Sequence, residues 1–156
     1  MRPVRTDSRL SRMLHVLLHM AREPDRTMTS EQIAGMLGTH SAVVRRTLAG
    51  LRQAGFVASE KGHQGGWRLA ADLKHVTLLD VHHAVGGPKV FAIGADRDNP
   101  SCAVERVVNH AVADALAQAE ALLLQRLGAV TLADLAAEFD TLCQAHPRRA
   151  RAHHGD

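Results

Sequence analysis

The chain has 156 residues, which supports one ordinary domain or a small domain with an appended element. A composition of 46% hydrophobic and 22% charged residues is globular and excludes a disordered or fibrous chain. A net charge of +3 and a pI of about 9.4 point to an anionic partner, although eleven His soften that indication because their charge near neutral pH depends on their surroundings.

Only 3% of residues are aromatic and none is Tyr, so Ala, Leu and Val on helices should carry the core. The two cysteines, Cys102 and Cys143, exclude a secreted disulfide framework and a four-cysteine metal or iron–sulphur site within one chain. No apolar run reaches a membrane span, and the start "MRPVRTDSRL" lacks the apolar centre of a signal peptide. The expectation is a soluble, cytoplasmic protein.

From Asp7 to Arg22, Leu10, Met13, Leu14, Leu17, Leu18 and Ala21 recur at helical spacing, and Pro24 follows as a stop. "TSEQIAGML" opens with Thr29 and has Gln32 three residues later, a capping box for a short helix that Gly38 ends. A third helix follows a short turn, with Val44, Leu48 and Leu51 as its buried stripe. Its opposite face then carries Ser41, Ala42, Arg45, Arg46 and Ala49. Gly55 caps that helix, and "FVASE" and "GWRLA" read as two strands joined by "KGHQGG". Thr77 and Asp80 start another short helix, closed by Gly86 and Gly87, and "PKVFAIGADRD" is irregular. A long helix runs from Pro100 to Leu127 behind an Asn99 cap, and a last short one from Thr131 to Cys143.

Gly62, Gly65 and Gly66 beside Lys61 raise the question of a phosphate-binding loop. A dinucleotide fingerprint needs G-x-G-x-x-G between a strand and a helix, and a P-loop needs Lys-Ser or Lys-Thr after its last glycine. Here the spacing is G-x-x-G-G, strands lie on both sides and Trp67-Arg68 follows. The loop is a hairpin tip. Two short helices with a Gly-containing turn, followed by a hairpin, is the element order of a winged helix-turn-helix. In that arrangement the second helix enters the major groove with its amino-terminal residues. Here it offers Thr39, His40, Ser41, Ala42, Arg45 and Arg46, with Lys61, His63 and Gln64 at the wing tip. Of Arg2, Arg5, Arg9 and Arg12, those on the exposed side of the first helix would neutralise phosphates. The plain alternatives are a solvated face for Arg45 and Arg46 and an ordinary turn for the wing.

The run "LRQAGFVASEKGHQGGWRLAADLKHVTLLDVHHAV", followed by a linker, a cysteine, a long helix and "VTLADL", resembles the Rrf-type (IscR/NsrR-like) family of bacterial winged-helix regulators. The resemblance runs from about Asp7 to Leu135. It implies a homodimer on a palindromic operator, a recognition helix matching Thr39 to Leu51, and Lys61 as the basic residue of the wing. Cluster-binding members of that family carry three closely spaced cysteines before the long helix, whereas this chain has only Cys102 there. No cofactor is therefore assigned, and the "NPSCAV" start is similar to cluster-free members with one cysteine.

With Asn99 as cap, Cys102 would occupy the third position of the long helix, where the positive helix end favours thiolate. It reads as a redox or electrophile sensor or, alternatively, as a small hydrophobe at the dimer interface. Cys143 reads as packing. His15 and His19, four apart, can face one metal ion, but two ligands are a weak signal and no metal is assigned. His82 and His83 are adjacent on a helix, roughly 100° apart, and suit chelation poorly.

The long helix carries Val104, Val107, Val108, Ala111, Val112, Ala115, Leu116, Ala119, Leu122 and Leu123 on too wide a stripe for one small domain to cover. About 28 residues make a rod of roughly 40 Å, and pairing with a second copy buries it simply.

The fold expected is mainly α with a small β-hairpin wing. Residues 1–86 form the winged helix-turn-helix, 87–98 a linker, 99–143 the dimerisation helix and short terminal helix, and 144–156 a disordered tail. The function expected is a homodimeric transcriptional regulator, a repressor, with Cys102 as sensor. The competing reading is a regulator answering a small-molecule ligand or metal, with its pocket near Val85 to Ile93. Nothing in the sequence supports an enzyme. A protein-interaction module without DNA binding fits poorly with Arg45, Arg46 and Lys61.

Overall fold

The computed structural model of the chain describes residues 6–63, 65–95 and 101–145. Helix α1, Arg9–Arg22, buries Met13, Val16, Leu17 and Met20 along one face. That face is turned slightly from the stripe expected, so Leu10 and Leu14 pack at the core's margin instead of its centre. The helix starts at Arg9 rather than Asp7, because the Asp7 carboxylate accepts the Arg9 backbone N–H from outside the helix, at 3.0 Å.

Helix α2, Ser30–Leu37, begins with the expected capping box. Thr29 Oγ1 accepts from Gln32 N at 3.1 Å, and Thr29 N donates to Gln32 Oε1 at 2.9 Å. Gly38 ends it with φ +63°, a left-handed conformation that costs a glycine little. Helix α3, Ser41–Gln53, buries Val44, Leu48 and Leu51 as its spacing requires.

Strands β1, Val57–Glu60, and β2, Gly66–Leu69, form an antiparallel hairpin with Val57 opposite Leu69 and Glu60 opposite Gly66. A single 3-10 turn, Leu73–His75, leads into helix α4, Leu78–Ala84, whose Thr77–Asp80 capping box is also formed. Residues 87–95 are irregular.

Helix α5, Ala103–Gly128, is 26 residues long and buries none of them. Val104 and Val107 are each 71% exposed. Helix α6, Leu132–Ala145, follows and runs two residues past Cys143. It returns to the first part of the chain. Leu78 N donates to Val130 O at 3.0 Å and Leu132 N to Val76 O at 2.9 Å, so an antiparallel bridge between Thr77 and Thr131 ties the starts of α4 and α6 together. Leu132 is fully buried in the same apolar core as Leu17, Ile33, Leu48 and Val81.

The architecture is thus mainly helical, with a two-stranded hairpin and a long helix standing off the core. Burial at roughly 25 cal/mol per Å² of apolar surface is what holds it, and α5 contributes little to that term within one chain.

Candidate nucleic-acid interface

The turn between α2 and α3 is built by backbone bonds. Gly38 N donates to Gly35 O at 3.4 Å and Thr39 N to Ala34 O at 3.0 Å, which leaves His40 as the cap of α3. His40 is exposed and its ring makes no capping bond. Because Val44, Leu48 and Leu51 face inward, Ala42, Arg45 and Arg46 are turned to solvent, with Ser41 and Thr39 half-buried at the helix start. Arg45 Nη1 stands 3.4 Å from Glu31 Oε1 across the turn. Both partners are more than half exposed, so this pair is weakly held and readily exchanged for another anion. Arg46 makes no ion pair among the described residues.

Lys61 and His63 are exposed at the tip of the hairpin, while Gln64 lies outside the described residues. The glycines serve the bend. Gly62 has φ +112° and its carbonyl accepts from Gly65 N at 3.0 Å. A Cβ on Gly65 would collide with the Glu60 carbonyl, and one on Gly66 would meet Met28 O at 2.7 Å. A positive φ at Gly62 and close backbone approach at Gly65 and Gly66 explain the glycines. Arg68 on the return strand is paired with Glu60 at 2.8 Å.

Three residues that sequence reasoning missed fix the wing to the helix-turn-helix. Met28 pairs with Trp67 as a third, one-residue strand, with N···O distances of 2.9 and 2.8 Å. The Trp67 indole Nε1 donates to Ser30 Oγ at 3.0 Å in the interior. Arg52, in the last turn of α3, lies 5.8 Å from the Trp67 ring centroid and 3.3 Å from Ser59 Oγ. These join segments distant in sequence, and the only hint of them was the chain's single tryptophan.

Arg9, expected from the sequence as a phosphate contact, is also engaged within the chain. Its Nη2 and Nε bind the Asp7 carboxylate at 2.6 and 3.1 Å, and its Nη1 donates to Val85 O at 3.0 Å. The Arg9 hydrogen bonds hold the Asp7 carboxyl below its ordinary range, and the Asp7 carboxylate raises Arg9 in turn. The guanidinium is committed to joining the start of α1 to the end of α4. Arg2 and Arg5 lie outside the described residues.

Cys102 also moves. It is the cap of α5, with extended backbone at φ −74° and ψ 122°, not the third residue of a helix begun at Pro100. Its carbonyl accepts the first helical bond, from Arg106 N at 3.1 Å, which is what fixes the start one residue on. Asn99 and Pro100 lie outside the described residues. The thiol is exposed, and that of Cys143 is half-buried on α6.

Along the described part of the segment from Val85 to Ile93, Val85 is buried, Phe91 stands at the surface and Ile93 is 70% exposed. A cleft lies between α1, the 3-10 turn and α6, lined by Leu18, Arg22, Leu73, Ala136 and Phe139. There Arg22 stacks 4.5 Å above the Phe139 ring and meets Asp140 at 3.3 Å.

A helix-turn-helix with an anchored wing and a free long helix is an arrangement that other proteins share. The profile of the Rrf2 family, described as iron-dependent transcriptional regulators, matches residues 6–138. The chain belongs to the Rrf2 family of transcriptional regulators. It is 27% identical over 129 residues to YwnA of Bacillus subtilis, a candidate HTH-type transcriptional regulator, across 83% of this chain and 95% of that one. A crystal structure of a candidate transcriptional regulator from Lactobacillus plantarum shares the fold with a TM-score of 0.73 at 18% identity, covering 93% of this chain and 98% of that one. The IscR protein of T. potens does so with a TM-score of 0.61 at 20% identity, covering 87% and 88%.

The family's iron does not fit the donors present in this Rrf2 chain. It has two cysteines in all, one at the start of α5 and one on α6. Among the described residues no three His, Cys, Asp or Glu side chains come together as a metal-binding group. A cluster held by cysteine thiolates from one chain has no ligand set here.

Proposed function

We propose that the protein is a homodimeric regulator that binds a palindromic operator and represses transcription by occupying it. The observation that carries this reading is the pair Arg45 and Arg46 on the outer face of α3, opposite the buried Val44–Leu48–Leu51 stripe. The amino-terminal part of α3, from Thr39 and His40 through Arg46, enters the major groove, with Ser41 and Ala42 against base edges. Lys61 and His63 on the wing contact the flanking backbone or minor groove, joined there by Gln64. Arg9 is left out of the contact set, because Asp7 and Val85 already engage its Nε, Nη1 and Nη2.

The dimer forms through α5. Val104, Val107, Val108, Leu122 and Leu123 are exposed large apolar side chains on one rod, and contact with the same helix of a second copy removes them from water. Two α3 helices related by that two-fold axis read two half-sites. Cys102, exposed at the cap of this rod, is the trigger. Peroxide oxidises its thiolate to a sulfenic acid, forming the S–O bond as the O–O bond breaks and hydroxide leaves. The added oxygen repositions the paired helices and the spacing of the two α3 helices with them.

The test is operator affinity for the wild type and Cys102→Ser, each with and without peroxide. The reading expects peroxide to weaken only the wild type. Equal weakening of both removes Cys102 as trigger and leaves DNA binding untouched.

A further inference from the structure

His15 and His19 sit one turn apart on α1, the spacing that stacks side chains on one face of a helix. Their Nε2 atoms are 2.9 Å apart. The ring centroids are 4.7 Å apart and the planes are tilted by 50°, so the rings meet at their edges and do not stack. His15 is exposed and His19 half-buried, which leaves the pair within reach of ions in solution.

An N–H···N bond between two imidazoles contains a single proton, with one ring donating and the other accepting. When the donating ring takes the tautomer with its proton on Nδ1, both Nε2 lone pairs are available at one place. A metal ion takes the position between them at the cost of a small rotation of each ring.

The donors select the class of ion. Two imidazole nitrogens already in contact at 2.9 Å reach neighbouring positions on one ion with little movement, and Cu²⁺ heads the affinity order for nitrogen donors. The other histidine pair does not compete. His82 is buried, and its ring centroid lies 5.8 Å from that of His83.

We propose that His15 and His19 chelate one Cu²⁺ ion through both Nε2 atoms, forming a metal site on the outer face of α1 with water at the remaining positions. It is independent of Cys102 and of the iron associated with the family.

The test uses the full chain and Cu²⁺ alone. Wild type and His15→Gln are titrated side by side, followed by visible absorbance and electron paramagnetic resonance. The chain has eleven His in all, so the comparison reads the difference between the two proteins. His15→Gln is expected to lose one tight equivalent together with the two-nitrogen coupling pattern, with an unchanged helical circular dichroism spectrum. His19→Gln is expected to lose the same equivalent. Equal stoichiometry and equal nitrogen coupling in wild type and His15→Gln would overturn the proposal. So would displacement of the copper by an equal concentration of Zn²⁺.

Discussion

The Trp67 indole donates a buried 3.0 Å hydrogen bond to Ser30 Oγ, tying the return strand of the hairpin to the first residue of α2. Ser30 and Trp67 are 37 residues apart, and the bond makes the wing and the helix-turn-helix one rigid piece. Ser30→Ala strands the indole N–H in an apolar interior, which costs about 1–3 kcal/mol. Urea unfolding of the variant should show a lower midpoint with an unchanged slope. An unaltered midpoint would mean that the bond does not hold the wing.

Gly50 on α3 lies against the Ala84 carbonyl of α4 with no room for a Cβ. α4 in turn meets α5, where a Cβ on Gly128 would be 3.4 Å from Leu79 Cδ2. Gly50→Ala therefore forces α3 away from α4 and should lower stability by roughly 1–3 kcal/mol, despite the better helix propensity of Ala. Thermal melts decide this, and a rise in Tm would show that α3 slides freely on α4.

The pH dependence follows from His82 and Asp7. Desolvation lowers the His82 pKa in the fold, and the neighbouring His83 lowers it further, against the opposing pull of Asp7 and Glu120. The unfolded chain then binds more protons than the folded one just below the ordinary His value of 6.5. Stability should rise with pH through that window and level off above it. His82→Gln should flatten the profile there. Asp7 acts at lower pH. Its folded pKa lies below 3.8, so the Arg9 pair contributes above that value and is lost as the pH falls through the folded pKa. Chemical denaturation across the acid range measures both.

The unburied rod predicts its own partner. Val107→Asp places a carboxylate on the exposed apolar stripe of α5, where a paired copy would have to desolvate two of them. Sedimentation should report a dimer for the wild type and a monomer for the variant, with the helical content of each chain retained. A monomeric wild type would contradict the assembly.

The parts of the fold that were legible in the sequence are those set by local chemistry. Thr29 with Gln32 and Thr77 with Asp80 are caps built from residues three apart, and the Val44–Leu48–Leu51 stripe is a helical period. What stayed hidden joins distant segments. Met28 pairing with Trp67, Thr131 pairing with Thr77, and Arg9 reaching Val85 leave no periodic trace. The same reason hid the partners of Arg9, whose charge marked it as a phosphate contact but not as a link from Asp7 to Val85. The start of α5 moved to Ala103 because its first bond is accepted by Cys102 O, which composition does not reveal. On α3 the candidate DNA-facing side chains were readable because the opposite face is so plainly apolar.

The most direct test of the central claim is the salt dependence of binding to a random-sequence DNA duplex, measured by fluorescence anisotropy for the wild type and for Arg45→Ala/Arg46→Ala. Each phosphate contact adds about 0.9 to the slope of log affinity against log salt. The account predicts salt-sensitive binding by the wild type and a slope shallower by about 2 for each α3 helix on the duplex, about 4 for the dimer, in the double variant with its fold intact. An identical slope in the two proteins, or no salt-dependent binding by either, would contradict the assignment of α3 as the helix that meets DNA.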